Sequence, residues 1–503
     1  MKTGAQLLID ALIDENVDVI FGFPGGSVIP IFDVLYDTKE LELIMTRHEQ
    51  GAVHAADGYA RSTGRVGVCM STSGPGATNM VTGIATANMD SVPLVMISGQ
   101  VKTHLIGNDA FQESDVTGIM RPISKYTMLL KDIREIQPAV KKAFHLAATG
   151  RPGPVVIDLP VDITQQKAKP AKQVKLDLPG YKPKYEGNSN QIKKAARLIN
   201  SSKKPILYVG GGAVIAGCSD LIVEASEKAG IPVTTTMLGL GTFPETHPHS
   251  LKMLGMHGSA YANHAIMDSD LVIAVGARFD DRVTGKLEEF APHARVIHID
   301  VDPTAISKNV MVDVHIVGDA GNVMKALIAL LKEKKHAKWF KMINQWKKQY
   351  PLEYDRENGE LMPQYVVEKI YEVSSGKAII TTEVGQNQMW AAQFYTYTRP
   401  RTFISSGGLG TMGYGFPAAI GVQKAFPDAV VVDVAGDGSI QMNIQELNTA
   451  HRLGLPVNIV ILNNGYLGMV RQWQELFFNR RYSSTDLHDN PDFVRIAEAY
   501  DCR

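Results

Sequence analysis

Apolar positions along the chain gather into short β-branched runs separated by helix-length stretches. Residues 17–21, 66–70, 94–97 and 155–157 form such runs in the first third. Continuous apolar runs of this kind predict parallel strands buried on both faces, hence doubly wound α/β domains. Ahead of them, Ala5, Leu8, Ile9, Leu12 and Ile13 line one face of an amphipathic helix, with Thr3 and Gln6 spaced as a capping box. This helix begins so close to Met1 that no signal or transit segment is expected. Residues 164–190 break the pattern: six lysines stand among Pro and Gly, which predicts an exposed linker. An edge extension of the first domain is the alternative for part of that stretch. Apolar runs return at 205–209, 271–275 and 296–299 and close near Leu331. A charged helix with Trp339 and Trp346 follows, then a polar connector over 350–359. The last runs are 378–380, 430–432 and 458–462, with a helical segment over 493–500. The expected organisation is a first domain over 1–165, a linker over 166–190, a central domain over 191–335, a linker over 336–362 and a third domain over 363–503. Because the sequence stops at Arg503 directly after a helical segment, the third domain is expected to be incomplete.

Composition agrees with this division. The chain has 503 residues, and one domain per about 150 residues gives three. Hydrophobic residues make up 45%, charged residues 20% and aromatics 7%, which excludes disorder over most of the length. Lys and Arg number 51 against 52 Asp and Glu, a formal charge of −1. No basic surplus marks a nucleic-acid partner or an anionic membrane, and no apolar run approaches the ~20 residues of a bilayer span. Cys69, Cys218 and Cys502 form no C-x-x-C pair, which suits a reducing, cytoplasmic setting.

The chemistry concentrates in the third block. Gly436-Asp437-Gly438-Ser439 ends one apolar run and Asn463-Asn464-Gly465-Tyr466 ends the next. A carboxylate and an amide oxygen at the carboxyl ends of neighbouring parallel strands are hard ligands suited to Mg²⁺, in the crevice where such sheets bind ligands. A helix beginning after Gly438 would point N–H groups at a metal-bridged diphosphate. A bare Gly-Asp-Gly often marks only a turn. In the first block Glu49 opens a helix after a strand, a position that the helix dipole alone would favour. Gly25-Gly26 and Ser73-Gly74-Pro75-Gly76-Ala77 allow close backbone approach, or are simply tight turns. The run from Ser406 to Gly415 is too Gly-rich for a strand or helix interior and needs unusual backbone angles.

With Gly-Asp-Gly-Ser leading to Asn-Asn, the chain resembles the thiamine-diphosphate-dependent enzymes. The resemblance implies three doubly wound parallel-sheet domains of that type, the third truncated. It implies Mg²⁺ on Asp437, Asn464 and the main-chain carbonyl of Tyr466. Glu49 would hydrogen-bond the aminopyrimidine N1′ and, with Gln112, serve catalysis. Met412 would be the apolar wedge that keeps the cofactor bent, where the plainer reading is a core filler. Val384, Gly385, Gln386, Asn387, Gly410, Gly436, Gly438, Ser439, Gly468 and Met469 would complete the thiamine diphosphate site.

The middle block resembles one branch. The string Arg278-Phe279-Asp280-Asp281-Arg282-Val283-Thr284-Gly285, with Asp300-Val301 and Gly318-Asp319-Ala320, is similar to the FAD-binding domain of the acetohydroxyacid (acetolactate) synthase family. By that resemblance FAD is held by Arg151, Gly210, Gly211, Thr236, Met237, Met256, His257, Gly258, Gly276, Arg278, Asp280, Arg282, Val283, Asp300, Val301, Asp319 and Ala320. The plainer reading of Arg278, Asp281 and Arg282 is a surface ion-pair cluster. Phe111 and Trp473 would shape the pocket for a second 2-keto acid; any lone aromatic otherwise belongs to a core or an interface. Val161, Glu383 and Asn387 depart from the residues commoner in that family.

The resemblance implies carboligation. Pyruvate loses CO₂ and its two-carbon remainder joins a second pyruvate or 2-ketobutyrate, giving 2-acetolactate or 2-aceto-2-hydroxybutyrate for valine, leucine and isoleucine synthesis. FAD has no net redox task in this sequence. The implied assembly is a homodimer or homotetramer with active sites completed between subunits, open to a small regulatory subunit. A flavin-reducing pyruvate oxidase, or another thiamine carboligase, is the alternative enzyme; a non-catalytic binding subunit would lack Glu49 or a metal ligand.

Overall fold

A computed structural model describes residues 1–357 and 359–502; Arg503, where the third domain was expected to break off, lies outside the described residues. The N-terminal helix Gly4–Asp14 forms as the pattern predicts, with Thr3 and Gln6 closing a reciprocal capping box. Eight strands precede the central region: β1 Lys2–Thr3, β2 Val19–Gly22, β3 Glu42–Met45, β4 Gly67–Ser71, β5 Leu94–Gln100, β6 Tyr126–Leu129, β7 Pro154–Pro160 and β8 Lys167–Ala168. Six of them make a parallel sheet in the order β3-β2-β4-β5-β7-β6, while β1 and β8 pair antiparallel. The first part of the expected linker is thus the edge extension: β8 returns to the N-terminus, and the Tyr181 hydroxyl donates to Thr149 O at 2.7 Å.

The central sheet comprises β9 Pro205–Val209, β10 Val233–Thr235, β11 Ser250–Met253, β12 Leu271–Val275, β13 Arg295–Asp300 and β14 Val314–Val317, in the order β11-β10-β9-β12-β13-β14. The third sheet orders β15 Ile379–Thr382, β16 Phe403–Ile404, β17 Val431–Gly436 and β18 Asn458–Leu462 as β16-β15-β17-β18. Apolar clusters cover both faces of the first and central sheets, as runs without alternation require.

The chain separates into two compact units. One holds Met1–Tyr181, Ile379–Gln386 and Ile404–Arg503; the other holds Lys182–Ala378 and Asn387–Phe403. The stretch 336–362, expected as a linker, carries the helix Ala337–Gln349, which is built into the second unit. Trp339 is buried there and its indole N–H donates to Pro205 O at 3.0 Å.

Within the first unit, the helices Glu49–Thr63 and Gly415–Ala425 cross at backbone distance. A Cβ on Gly421 would stand 1.9 Å from Ala55 O, and one on Gly58 would stand 2.2 Å from Ala418 O. Only hydrogen atoms fit at those two positions. Replacing Gly421 by Ala is therefore expected to destabilise the first unit by about 1–3 kcal/mol through overpacking, which thermal and urea melts check; an unchanged midpoint would contradict the close crossing.

Candidate functional site

In each sheet the strand order reverses beside its earliest central strand, and in open α/β sheets ligands bind at the carboxyl ends of the strands flanking that reversal. The reversals fall between β2 and β4, β9 and β12, and β15 and β17. Each of the three candidate clusters sits at one of them.

Beside the third-sheet reversal, Gly436 of β17 pairs with Leu462 of β18, so Asp437 and Asn464 leave neighbouring strands at the same level. Asp437 is buried, and its Oδ2 accepts from Gly465 N at 3.0 Å and Asn490 Nδ2 at 2.7 Å. Asn464 Oδ1 accepts from Tyr466 N at 3.2 Å, and its Nδ2 donates to Gln386 Oε1 at 3.1 Å. A Cβ on Gly468 would lie 2.0 Å from that same Gln386 oxygen. The lack of a side chain at 468 therefore lets Gln386 lie across the start of the helix Gly468–Phe477, in which Met469 is half-buried. The helix expected after Gly438 is a correction: a single turn, Asp437–Ile440, begins at the aspartate itself. Its few N–H groups offer a short cradle rather than a helix-long dipole.

The Gly-rich run bends as expected, with Gly410 at φ +71 and Gly413 at φ +80. Around Gly410 the nearest atom to an added Cβ is Val384 Cγ1 at 4.0 Å, so this turn borders open space beside Val384 and Gly385. Met412 turns its methyl towards Gly438, 3.9 Å from where a Cβ would stand, with Leu467 and Leu487 closing the same spot. The run is anchored on both sides. From the helix Val81–Asp90, Asp90 accepts from Gly407 N at 2.9 Å and Gly408 N at 2.7 Å, and Thr86 Oγ1 meets Thr411 Oγ1 at 2.6 Å. From the segment after β17, Asn443 Nδ2 donates to Gly413 O at 2.6 Å and Ser439 Oγ accepts from Gly413 N at 3.2 Å. Ser439 in turn donates to Glu383 Oε2 at 2.8 Å. Burial drives the carboxyl of Glu383 up, and Asp433 behind it is driven well up by burial and then by Glu383. Asn387 follows Gln386 on the helix Gln386–Phe394 and is buried.

At the first-sheet reversal, Glu49 opens its helix behind the N-cap His48, as the sequence predicts. Its side chain is buried, and Oε2 accepts from Asn79 Nδ2 at 2.9 Å. A Cβ on Gly76 would press on Glu49 Oε1 at 3.3 Å, and one on Gly74 would meet Gln112 O at 2.7 Å. The turn 73–77 thus brings Glu49 and Gln112 to one place. Phe111 stands 87% exposed on the same loop; Trp473 is 39% exposed on the helix Gly468–Phe477, where its ring packs 5.1 Å from Phe477. Arg151 is held in the first unit by Ser91 Oγ at 2.8 Å.

The other flavin candidates lie in the second unit. Gly212 N donates to Gly276 O at 2.9 Å, and Gly276 has φ +54 with Gly212 backbone 2.6 Å from an added Cβ. The turns that carry Gly210, Gly211 and Arg278 therefore lock together at the reversal. Thr236 caps the turn Met237–Gly239. Met256 N donates to Arg282 O at 2.8 Å, joining the Met256-His257-Gly258 turn to Val283 and its neighbours. Asp280 and Asp319 cap the short helices Asp281–Thr284 and Ala320–Ile328, and Asp300 with Val301 ends β13. Arg278 lies 3.9 Å from Asp280, and Arg282 lies 3.7 Å from Asp281; all four side chains are more than a third exposed, so these pairs add little stability.

Sequence reasoning missed Asn79, Asp90, Asn443, Glu446 and Asn490. No local pattern marks them; the Asn-Pro turn at 490–491 signals only a bend.

The sequence comparisons agree with this layout. Residues 2–119 match the thiamine pyrophosphate enzyme N-terminal TPP binding domain, residues 192–327 the central domain, and residues 383–503 the C-terminal TPP binding domain. The chain is 50% identical to the acetolactate synthase large subunit of Haemophilus influenzae, over 99% of this chain and 88% of that protein. It is also 50% identical to the acetolactate synthase isozyme 3 large subunit of Escherichia coli, over 99% and 89% of the two chains. The probable acetolactate synthase large subunit of Methanocaldococcus jannaschii is likewise 50% identical, over 99% and 86%. With the three sheets, the metal-suited oxygens and matches of this extent, the chain belongs to the acetolactate synthase large-subunit family of thiamine pyrophosphate enzymes.

Proposed function

We propose that this chain is the catalytic subunit of an acetolactate synthase, joining the two-carbon remainder of pyruvate to a second pyruvate or to 2-ketobutyrate. The observation that carries this reading is the pair of oxygen donors, Asp437 and Asn464, level on β17 and β18 beside the open turn at Gly410. Their chemistry fits Mg²⁺; Gln386, Gly438 and Ser439 border the place a diphosphate would take, and Met412 lies over Gly438. When bound, thiamine diphosphate supplies the electron sink that makes decarboxylation of a 2-keto acid possible. Glu49 holds and returns a proton at the cofactor's ring nitrogen, kept in line by Asn79. Phe111 and Trp473 would shape the pocket for the second keto acid, with Gln112 beside Glu49 serving catalysis. The interlocked glycines at 210–212 and 276 leave backbone room for FAD, which has no redox task in this reaction.

The same reading takes a homodimer or homotetramer with active sites between subunits as the working assembly; the large-subunit names of the relatives support a small regulatory subunit as its partner. Among the described residues no helix is long and apolar enough to cross a membrane, and a cytoplasmic location is part of the same reading.

Supplied with pyruvate, thiamine diphosphate, Mg²⁺ and FAD, the protein should release 2-acetolactate, and with 2-ketobutyrate added, 2-aceto-2-hydroxybutyrate; release of neither rejects the reading. Changing Glu49 to Gln should lower kcat by about a hundredfold or more, the usual share of a positioned proton-transfer group, while FAD content stays constant; wild-type kcat would remove Glu49 from catalysis. Asp437→Ala should abolish Mg²⁺-dependent binding of thiamine diphosphate in calorimetry, and an unchanged Kd would contradict the metal assignment.

A further inference from the structure

Glu446 comes from the last third of the chain, 397 positions beyond Glu49, yet it lies at the turn from which Glu49 projects. It is fully buried. Its Oε1 accepts from Arg47 N at 2.9 Å and from His48 N at 3.0 Å, the two peptide units immediately before Glu49. Oε2 lies 3.1 Å from Arg47 N and also accepts from the Thr449 hydroxyl. The neighbouring Asn448 Oδ1 takes the Arg47 side chain, with Nε at 2.6 Å. On the first turn of the Glu49 helix, a Cβ at Gly51 would stand 2.6 Å from Glu446 Oε1, so the helix carries glycine where the carboxylate lies. The donors held here precede the first helical turn, whose N–H groups have no intrahelical acceptor, and an anion there is favoured by the helix dipole as well.

We propose that Glu446 is a positioning residue for Glu49: by fixing the peptide units of Arg47 and His48 it sets the direction in which the Glu49 carboxylate leaves the helix. The proposal rests on the reading of Glu49 as the proton-handling acid. Glu446 itself touches no candidate cofactor contact. The same segment that begins with Asp437 and Ser439 and runs on to Glu446 thereby ties the order of the Glu49 turn to that of the metal-bearing loop.

Two measurements on Glu446→Gln test this, and one needs no cofactor. In the cofactor-free protein, amide hydrogen exchange at Arg47 and His48 should rise about tenfold or more as local opening becomes easier. In the protein loaded with thiamine diphosphate and Mg²⁺, exchange of the cofactor's thiazolium C2 proton should slow by about tenfold to a hundredfold, as expected for a misplaced catalytic group. The Kd for thiamine diphosphate should stay within about twofold, because Asp437 and Asn464 are untouched. Gly51→Ala, which displaces the Glu446 carboxyl group without replacing it, should move both exchanges in the same directions and serves if Glu446→Gln does not fold. Wild-type C2 exchange in these variants, with Glu49→Gln slow, overturns the role of Glu446; wild-type exchange in Glu49→Gln overturns the reading of Glu49 instead. Faster amide exchange with unchanged C2 exchange makes Glu446 structural only and also overturns the proposal.

Discussion

The first unit depends on a buried ionic cluster where its first and third sheets meet. Arg61 donates to Asp57 at 2.6 Å and to Asp90 at 2.9 Å, with both carboxylates closed to solvent, and the Tyr414 hydroxyl donates to Asp57. Burial drives the Asp57 carboxyl up, and Arg61 opposes it; His54, one turn earlier on the same helix, is pushed down to about 3 by burial and then by Arg61, so it stays neutral beside the cation. Removing one partner from such a cluster strands a buried charge at a cost of about 3–5 kcal/mol. The cluster joins parts of the chain more than three hundred residues apart, and its second task is local. Asp90 spends its remaining lone pairs on Gly407 and Gly408, which begin the turn that carries Met412.

A chain of constraint therefore runs from packing to chemistry. Helices rich in small residues cross at Gly58 and Gly421, the crossing brings Arg61 and Asp90 to the Gly-rich turn, and that turn faces the Asp437 loop across Gly438. Glu49 stands at the start of one of the two crossing helices, and Glu446 holds that start from the other half of the unit. Strain in the positive-φ glycines at 410 and 413 is small, because glycine takes those angles freely. The rigidity comes from the hydrogen bonds on both flanks.

Much of this was legible in the sequence where the signal is local. Continuous apolar runs located β9, β12 and β18 to the residue, the Thr3 and Gln6 spacing gave the first cap, and Gly-Asp-Gly followed by Asn-Asn marked the ends of two neighbouring strands. Short strands escaped: β3 and β6 are only partly buried edge strands, so their pattern lacks the full apolar run. The charged helix with Trp339 and Trp346 was legible, but it was assigned to a linker because its charged face hides Trp339 and Ile343 as core of the second unit. The aids to the site were the least visible. Asp90, Asn490 and Glu446 act over separations of 317, 53 and 399 residues, and no periodicity in one sequence reports such pairs.

The central claim is that this thiamine pyrophosphate enzyme ligates rather than oxidises, with the proposed FAD taking up no electrons. The direct measurement follows visible flavin absorbance, without oxygen, while the FAD-loaded protein turns over pyruvate with thiamine diphosphate and Mg²⁺. The account predicts that the flavin stays oxidised while acetolactate accumulates. Bleaching of the flavin at the rate of pyruvate consumption would contradict it.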